Sequence, residues 1–158
     1  MAHVATDLDT KASPEAVMQA LTDFSQRRFE IWPNIDRKFY KLDSADQTSA
    51  EVTEGSNSPL GAVWEHAHYD WSRPGVVRID VKDSNTFQPG SYWQYNVTRR
   101  PDGGSHVHME FDRRPRNLRG QILSLLFNVG GKAVFTKSLG ETLHRLETSS
   151  AGGQRAPD

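Results

Sequence analysis

The sequence predicts an α+β domain: a curved, seven-stranded antiparallel sheet wrapped on a long C-terminal helix, with two short helices after the first strand. Three observations carry this. Apolar spacing is helical near the front of the chain and again over 116–147, and alternates with period two between them. Six alternating segments follow one another with short turns, which makes neighbours antiparallel. One further alternating segment precedes the front helices and supplies the seventh strand.

Each element has its own warrant. "HVATDLDT" alternates through Val4, Thr6, Leu8 and Thr10. "SPEAVMQALTDFS" is a helix with Ser13 as N-cap, Pro14 at the first helical position and Glu15 in the positive first turn. Its apolar stripe is Val17, Ala20, Leu21 and Phe24. "RRFEIWPNI" is a second short helix or turn, stopped near Pro33. "KFYKLD", "SAEVTE", "AVWEHAHYDW", "VVRIDVKD", "SYWQYNVTR" and "HVHMEFDR" read as strands. The turn signals "GSNSPLG", "SRPG", "SNTFQPG" and "RPDGG" separate the later ones. The last helix runs from about Arg116 to Glu147, with the stripe Leu118, Ile122, Leu125, Val129, Ala133, Leu139, Leu143 and Leu146. Gly130 and Gly131 interrupt it, where a bend or close packing is expected.

Composition narrows the function classes. A length of 158 residues suits one domain, taken as 1–147, with a small, polar tail over 148–158 expected to be disordered. With no cysteine there is no disulfide, thiolate metal site or cysteine nucleophile. No apolar run approaches the roughly 20 residues that span a bilayer, so no integral membrane segment is expected. The first ten residues lack the basic and apolar regions of a signal peptide, and the expected compartment is the cytoplasm. Nineteen basic and 20 acidic residues give no electrostatic reason to expect nucleic-acid binding.

This order of elements resembles the helix-grip fold of the START-like superfamily, also called SRPBCC, which includes polyketide cyclase/dehydrase and lipid-transport proteins. The resemblance covers residues 3–147. It rests on "SPEAVMQALTDFSQRRFEIWPNI", on "YDWSRPGVVRIDV" and "GSYWQYNVTRRPDGGSHVHMEF" in the sheet, and on the terminal helix. These signatures are architectural and carry no catalytic motif. The resemblance implies a cavity between helix and sheet that holds an apolar small molecule.

The last hairpin gives the clearest register. Its five-residue loop sets Val97 against Val107, Tyr95 against Met109 and Trp93 against Phe111, all on one face. His106 and His108 take the opposite, water-facing side. Val77, Ile79 and Val81 mark the inner face of the preceding strand. The expected cavity lining is therefore Tyr69, Trp71, Trp93, Tyr95, Val97, Val107, Met109 and Phe111 from the sheet, with Ile122, Leu125 and Val129 opposite from the helix.

The stretch "WEHAHYDW" over 64–71 is the candidate chemical cluster. Alternation puts Glu65, Ala67 and Tyr69 inside and His66, His68 and Asp70 outside. A two-residue loop around Pro74 and Gly75 would reverse this; a three- or five-residue loop keeps it, and a Pro-Gly type II turn splays a tight hairpin. Two histidines and a carboxylate could ligate zinc or iron, but the pattern is only a two-residue spacing on a strand and further ligation must come from elsewhere, so no metal is assigned. Glu65 on the inner face becomes either a cavity acid/base with a raised pKa or the partner of Arg78, Lys82 or another cation. No cofactor is implied.

Three functions fit. The first is a binder of a lipid, steroid or polyketide-like molecule. The second is a cyclase or dehydratase using Glu65, or the histidines in the other register. The third is an interaction module with a filled interior. The oligomeric state is left open.

Overall fold

The computed structural model describes residues 1–152. Strand β1 (Ala2–Thr10) leads to helix α1 (Pro14–Thr22), the short helix α2 (Arg28–Ile31) and a 3₁₀ turn (Arg37–Phe39). Strands β2 (Lys41–Ala45), β3 (Ser49–Ser58), β4 (Gly61–Asp70), β5 (Val76–Ser84), β6 (Tyr92–Arg99) and β7 (Ser105–Arg113) follow. The chain then enters α3 (Leu118–Leu126), a π turn (Phe127–Gly131) and α4 (Lys132–Gly152). The helix thus continues past the expected end at Glu147. Residues 153–158 of the expected tail lie outside the described residues.

The seven strands form one antiparallel sheet in the order β1-β7-β6-β5-β4-β3-β2. Ser13 caps α1, its hydroxyl accepting from the Ala16 amide at 3.2 Å. In the last hairpin Trp93 opposes Phe111, Tyr95 opposes Met109 and Val97 opposes Val107, as its loop length requires. Between β4 and β5 the connection is five residues long. Asp70 opposes Arg78 and Tyr69 opposes Ile79. Pro74 and Gly75 form a type II turn inside it, closed by the Val76 amide on the Arg73 carbonyl at 3.2 Å. Gly75 is required there: its φ is +72°, and a Cβ would come within 2.7 Å of the Val97 carbonyl oxygen.

The core lies between the concave face of the sheet and the C-terminal helical segment. Phe111 is fully buried at its centre. Its ring lies 4.5 Å from Trp93, 4.5 Å from Phe135 and 5.9 Å from Phe127, centroid to centroid. The distances suit tilted and edge-to-face aromatic packing.

The helix departs from the expected phase. Ile122, Leu125 and Val129 do not face the sheet; they are 41 %, 63 % and 83 % exposed. The buried or half-buried face is Leu123, Phe127, Gly131, Phe135, Leu139, Leu143 and Leu146. Counting towards the N-terminus from Leu139 at 3.6 residues per turn leads to the exposed set. The π turn adds a residue to one turn, so steps of four hold from Leu123 to Leu143. At Gly131 the helix passes so close to β1 that a Cβ would meet Val4 at 3.4 Å. Hydroxyls of Thr6 and Thr136 then join β1 to α4 at 2.5 Å.

Candidate functional site

The inner-face register carries polar residues into an otherwise apolar wall. On β3, alternation through Ala50 and Val52 brings Glu54 inside. On β4, Glu65 lies directly across from it. On β7, the series Val107, Met109, Phe111 continues to Arg113. Helix α2 contributes Arg28 from above the sheet. Two carboxylates and two guanidinium groups therefore meet on one concave face.

They are paired. The Arg28 Nε donates to Glu54 Oε1 at 2.5 Å, and its Nη2 donates to the Tyr69 hydroxyl at 2.9 Å. That hydroxyl donates in turn to Glu54 Oε2 at 2.6 Å. The Arg28 Nη1 donates to the carbonyls of Leu21 and Asp23. Arg113 donates to Glu65. Its guanidinium also lies 4.3 Å from the Trp93 ring centroid and 5.1 Å from that of Phe87. The arginine side chains are 4 % and 3 % exposed, whereas Glu54 and Glu65 are 20 % and 17 % exposed. The carboxylates are thus the more open ends of the two pairs.

The electrostatics follow from burial. Burial raises the Glu65 carboxyl, and Arg113 offsets this only in part. Burial lowers Arg113, against the pull of Glu65. For Arg28 burial opposes the cation, but Glu54 and Tyr69 outweigh it and hold its pKa above the ordinary value. Burial raises the Tyr69 and Tyr95 hydroxyls, and pushes Tyr40 up to about 12. Such hydroxyls stay protonated and can donate to an oxygen.

Of the sequence-predicted lining, Tyr69, Tyr95, Val97, Val107, Met109 and Phe111 are buried, and Trp93 is half-buried on the same face. Trp71 lies farther out, its ring 6.0 Å from Phe24 and its indole NH donating to the Gln47 carbonyl. Ile122, Leu125 and Val129 are absent from this face for the reason given above. Glu65 faces inward, but its partner is Arg113 rather than Arg78 or Lys82. Arg78 instead pairs with Asp80 at 3.0 Å. Sequence reasoning passed over Arg28, Glu54 and Arg113. Glu54 and Arg113 each lie two residues beyond a buried apolar residue, so extending the alternation by one step finds them; Arg28 carries no such signal.

The histidines of 64–71 lie on the outer face. His68 Nδ1 meets Glu51 at 2.5 Å, and His66 meets Asp43 and Glu51 at 3.3 Å each. Concavities adjoin the core among the described residues. One of about 120 Å³ lies between α1, α2 and the end of α4 and reaches Arg28. A larger groove of about 710 Å³ runs between β1 and the π turn. Phe87 closes another end of the core, buried and stacked on Phe127 at 6.4 Å.

Comparison with known proteins agrees with this architecture. Residues 1–151 match the family model described as polyketide cyclase / dehydrase and lipid transport. Among solved structures, TTHA0849 from Thermus thermophilus superposes with a TM-score of 0.76 at 12% identity, over 94% of this chain and 99% of that one. The Zhui aromatase/cyclase from Streptomyces sp. R1128 gives 0.74 at 12% identity, over 98% and 96%. A STAR-related lipid transfer protein fragment from Xanthomonas axonopodis gives 0.72 at 15% identity, over 91% and 85%. At these identities the likeness shows the fold alone. No curated protein matches the chain. The family match over nearly the whole length, on a seven-stranded sheet gripping a C-terminal helix, makes the chain a member of the polyketide cyclase/dehydrase and lipid transport family, with the START-like helix-grip fold.

Proposed function

We propose that the chain binds an apolar small molecule, lipid, steroid or polyketide-like, between the concave face and the C-terminal helix. The observation that carries this is the polar group inside the aromatic shell. Glu54, Glu65 and Tyr69 present oxygen and hydroxyl groups among Trp93, Tyr95 and Phe111. Apolar burial supplies affinity, and one or two fixed polar groups supply orientation. The concavities beside the core are lined by none of Glu54, Glu65 and Tyr69, so binding at these groups requires the helix and sheet to part.

Native mass spectrometry of the purified chain tests the reading. One apolar molecule per chain is expected, or saturable uptake of an added fluorescent fatty alcohol. Tyr69→Phe should weaken that uptake by about fivefold to tenfold, the value of one hydrogen bond. Neither an adduct nor saturable uptake would overturn it.

A second reading, a cyclase- or dehydratase-type enzyme, is favoured by one observation. Glu65 is a carboxyl raised by burial and set across from a second carboxyl, the arrangement that suits a general acid/base. A Glu65→Gln chain that keeps binding but loses turnover of a polyketide-like substrate would select this reading over simple binding.

A further inference from the structure

The outward face of α3 is apolar where a soluble surface is ordinarily polar. Leu118, Leu125, Leu126 and Val129 are 70 %, 63 %, 54 % and 83 % exposed, and Ile122 is exposed beside them. Spacings of four, three and four from Leu118 to Val129 keep the stripe on one side of the helix. Its other side is already committed to the core through Leu123 and Phe127.

Charge around the stripe is one-sided. Residues 113–140 hold six of the 19 basic residues and none of the 20 acidic ones, although Arg113 among the six is buried against Glu65. Lys132 and Lys137 are exposed one and two turns beyond the stripe, and they share the groove beside β1 with Val129 and Ala133. Arg114 and Arg116 at its start are exposed but paired, with Asp112 at 3.6 Å and Asp83 at 3.0 Å, so the cationic rim is Lys132 and Lys137. An aliphatic stripe rimmed by cations is the pattern of a helix that lies in a membrane interface.

We infer that the α3 face docks the chain on an anionic lipid surface, with Leu118, Leu125 and Val129 entering the acyl boundary and Lys132 and Lys137 at the phosphates. Two features select this occupant. An isologous dimer through the same face would set the cationic rims against each other. A protein partner's hot spot is built on Trp, Tyr and Arg anchors, whereas this stripe is wholly aliphatic. No helix among the described residues is long and apolar enough to cross a membrane, so the contact is peripheral. The inference stands independently of the ligand reading above.

Flotation with vesicles tests it. The full chain is mixed with vesicles of phosphatidylcholine alone or with about 30% phosphatidylserine. Binding is expected to the mixed vesicles and to fall as salt rises. The Leu125→Glu/Val129→Glu chain should lose at least about tenfold, as should Lys132→Gln/Lys137→Gln. Both pairs are exposed, so melting temperatures should stay at the native value. No binding by the native chain, equal binding to neutral vesicles, or binding by either variant as strong as that of the native chain would overturn the inference. So would size-exclusion evidence of a dimer that Leu125→Glu dissociates, which would assign the face to a second copy.

Discussion

Replacing Glu65 by Leu removes the carboxylate that faces the Arg113 guanidinium. The arginine cannot escape by losing its proton, because a guanidinium is not deprotonated in proteins. Its side chain is 3 % exposed, so water cannot take the place of Glu65. Breaking a buried pair from one side costs about 3–5 kcal/mol. Stacking of the cation on Trp93 at 4.3 Å offsets about 1 kcal/mol of this, since desolvated cation–π contacts reach about 2 kcal/mol. The net loss is about 3 kcal/mol, or about 6–12 °C in melting temperature for a chain of this size. Arg113→Met is milder, because Glu65 is already raised by burial and can take up a proton. The double variant Glu65→Leu/Arg113→Met should therefore be more stable than Glu65→Leu alone. Thermal melts followed by circular dichroism on the four chains give the cycle. Additive losses, or a native-like Glu65→Leu chain, would refute the account of a buried and mutually dependent pair.

Two further outcomes follow from elsewhere in the fold. Asp9 and Asp7 hold the His106 imidazole above its ordinary pKa, so its contribution is fully present below about pH 6.5 and is lost as pH rises through the folded value; the urea midpoint of His106→Gln should trail the native one more near pH 5.5 than near pH 8.5, and a constant gap would contradict the linkage. Deleting Gly130 removes the extra residue of the π turn and rotates α3 against α4 by about 100°, so either Leu123 or Leu139 leaves the core and a loss of about 3 kcal/mol or more is expected in urea unfolding; a deletion chain as stable as the native one would show that the π turn does not set the helix phase.

What could be read in advance depended on how far each determinant lies along the chain. The β6–β7 register is local: a five-residue loop and strict alternation fix which side Tyr95 and Met109 take. The inward turn of Glu65 also followed from alternation, helped by the longer connection around Pro74. The helix phase was not legible, because a period of 3.6 is assumed throughout and the π turn breaks it once. Uniform spacing puts all six of these residues inside: Leu139, Leu143 and Leu146, beyond that break, are buried as expected, whereas Ile122, Leu125 and Val129, before or within it, are exposed. The Arg28–Glu54–Tyr69 group is non-local. It joins a short helix to two strands over 26 and 41 residues of sequence, and nothing in the local pattern of α2 marks Arg28 for burial.

The pairing of β1 with β7 decides the order in which the domain can assemble. Strands β2 to β7 form a meander, and each can join its predecessor through a short turn. Strand β1 has no such neighbour: Asp7 and Asp9 meet His108 and His106 across 101 and 97 residues. Closing a loop of that length costs on the order of 4 kcal/mol in chain entropy, and non-local pairing of this kind is slow. Helix α4 is fastened to the same strand, through Thr6 to Thr136 and Thr10 to Glu147. During synthesis β1 therefore waits, an unpaired strand, until β7 and then α4 have emerged. The two ends of the chain close a single seam, and shortening either end opens it from the same side.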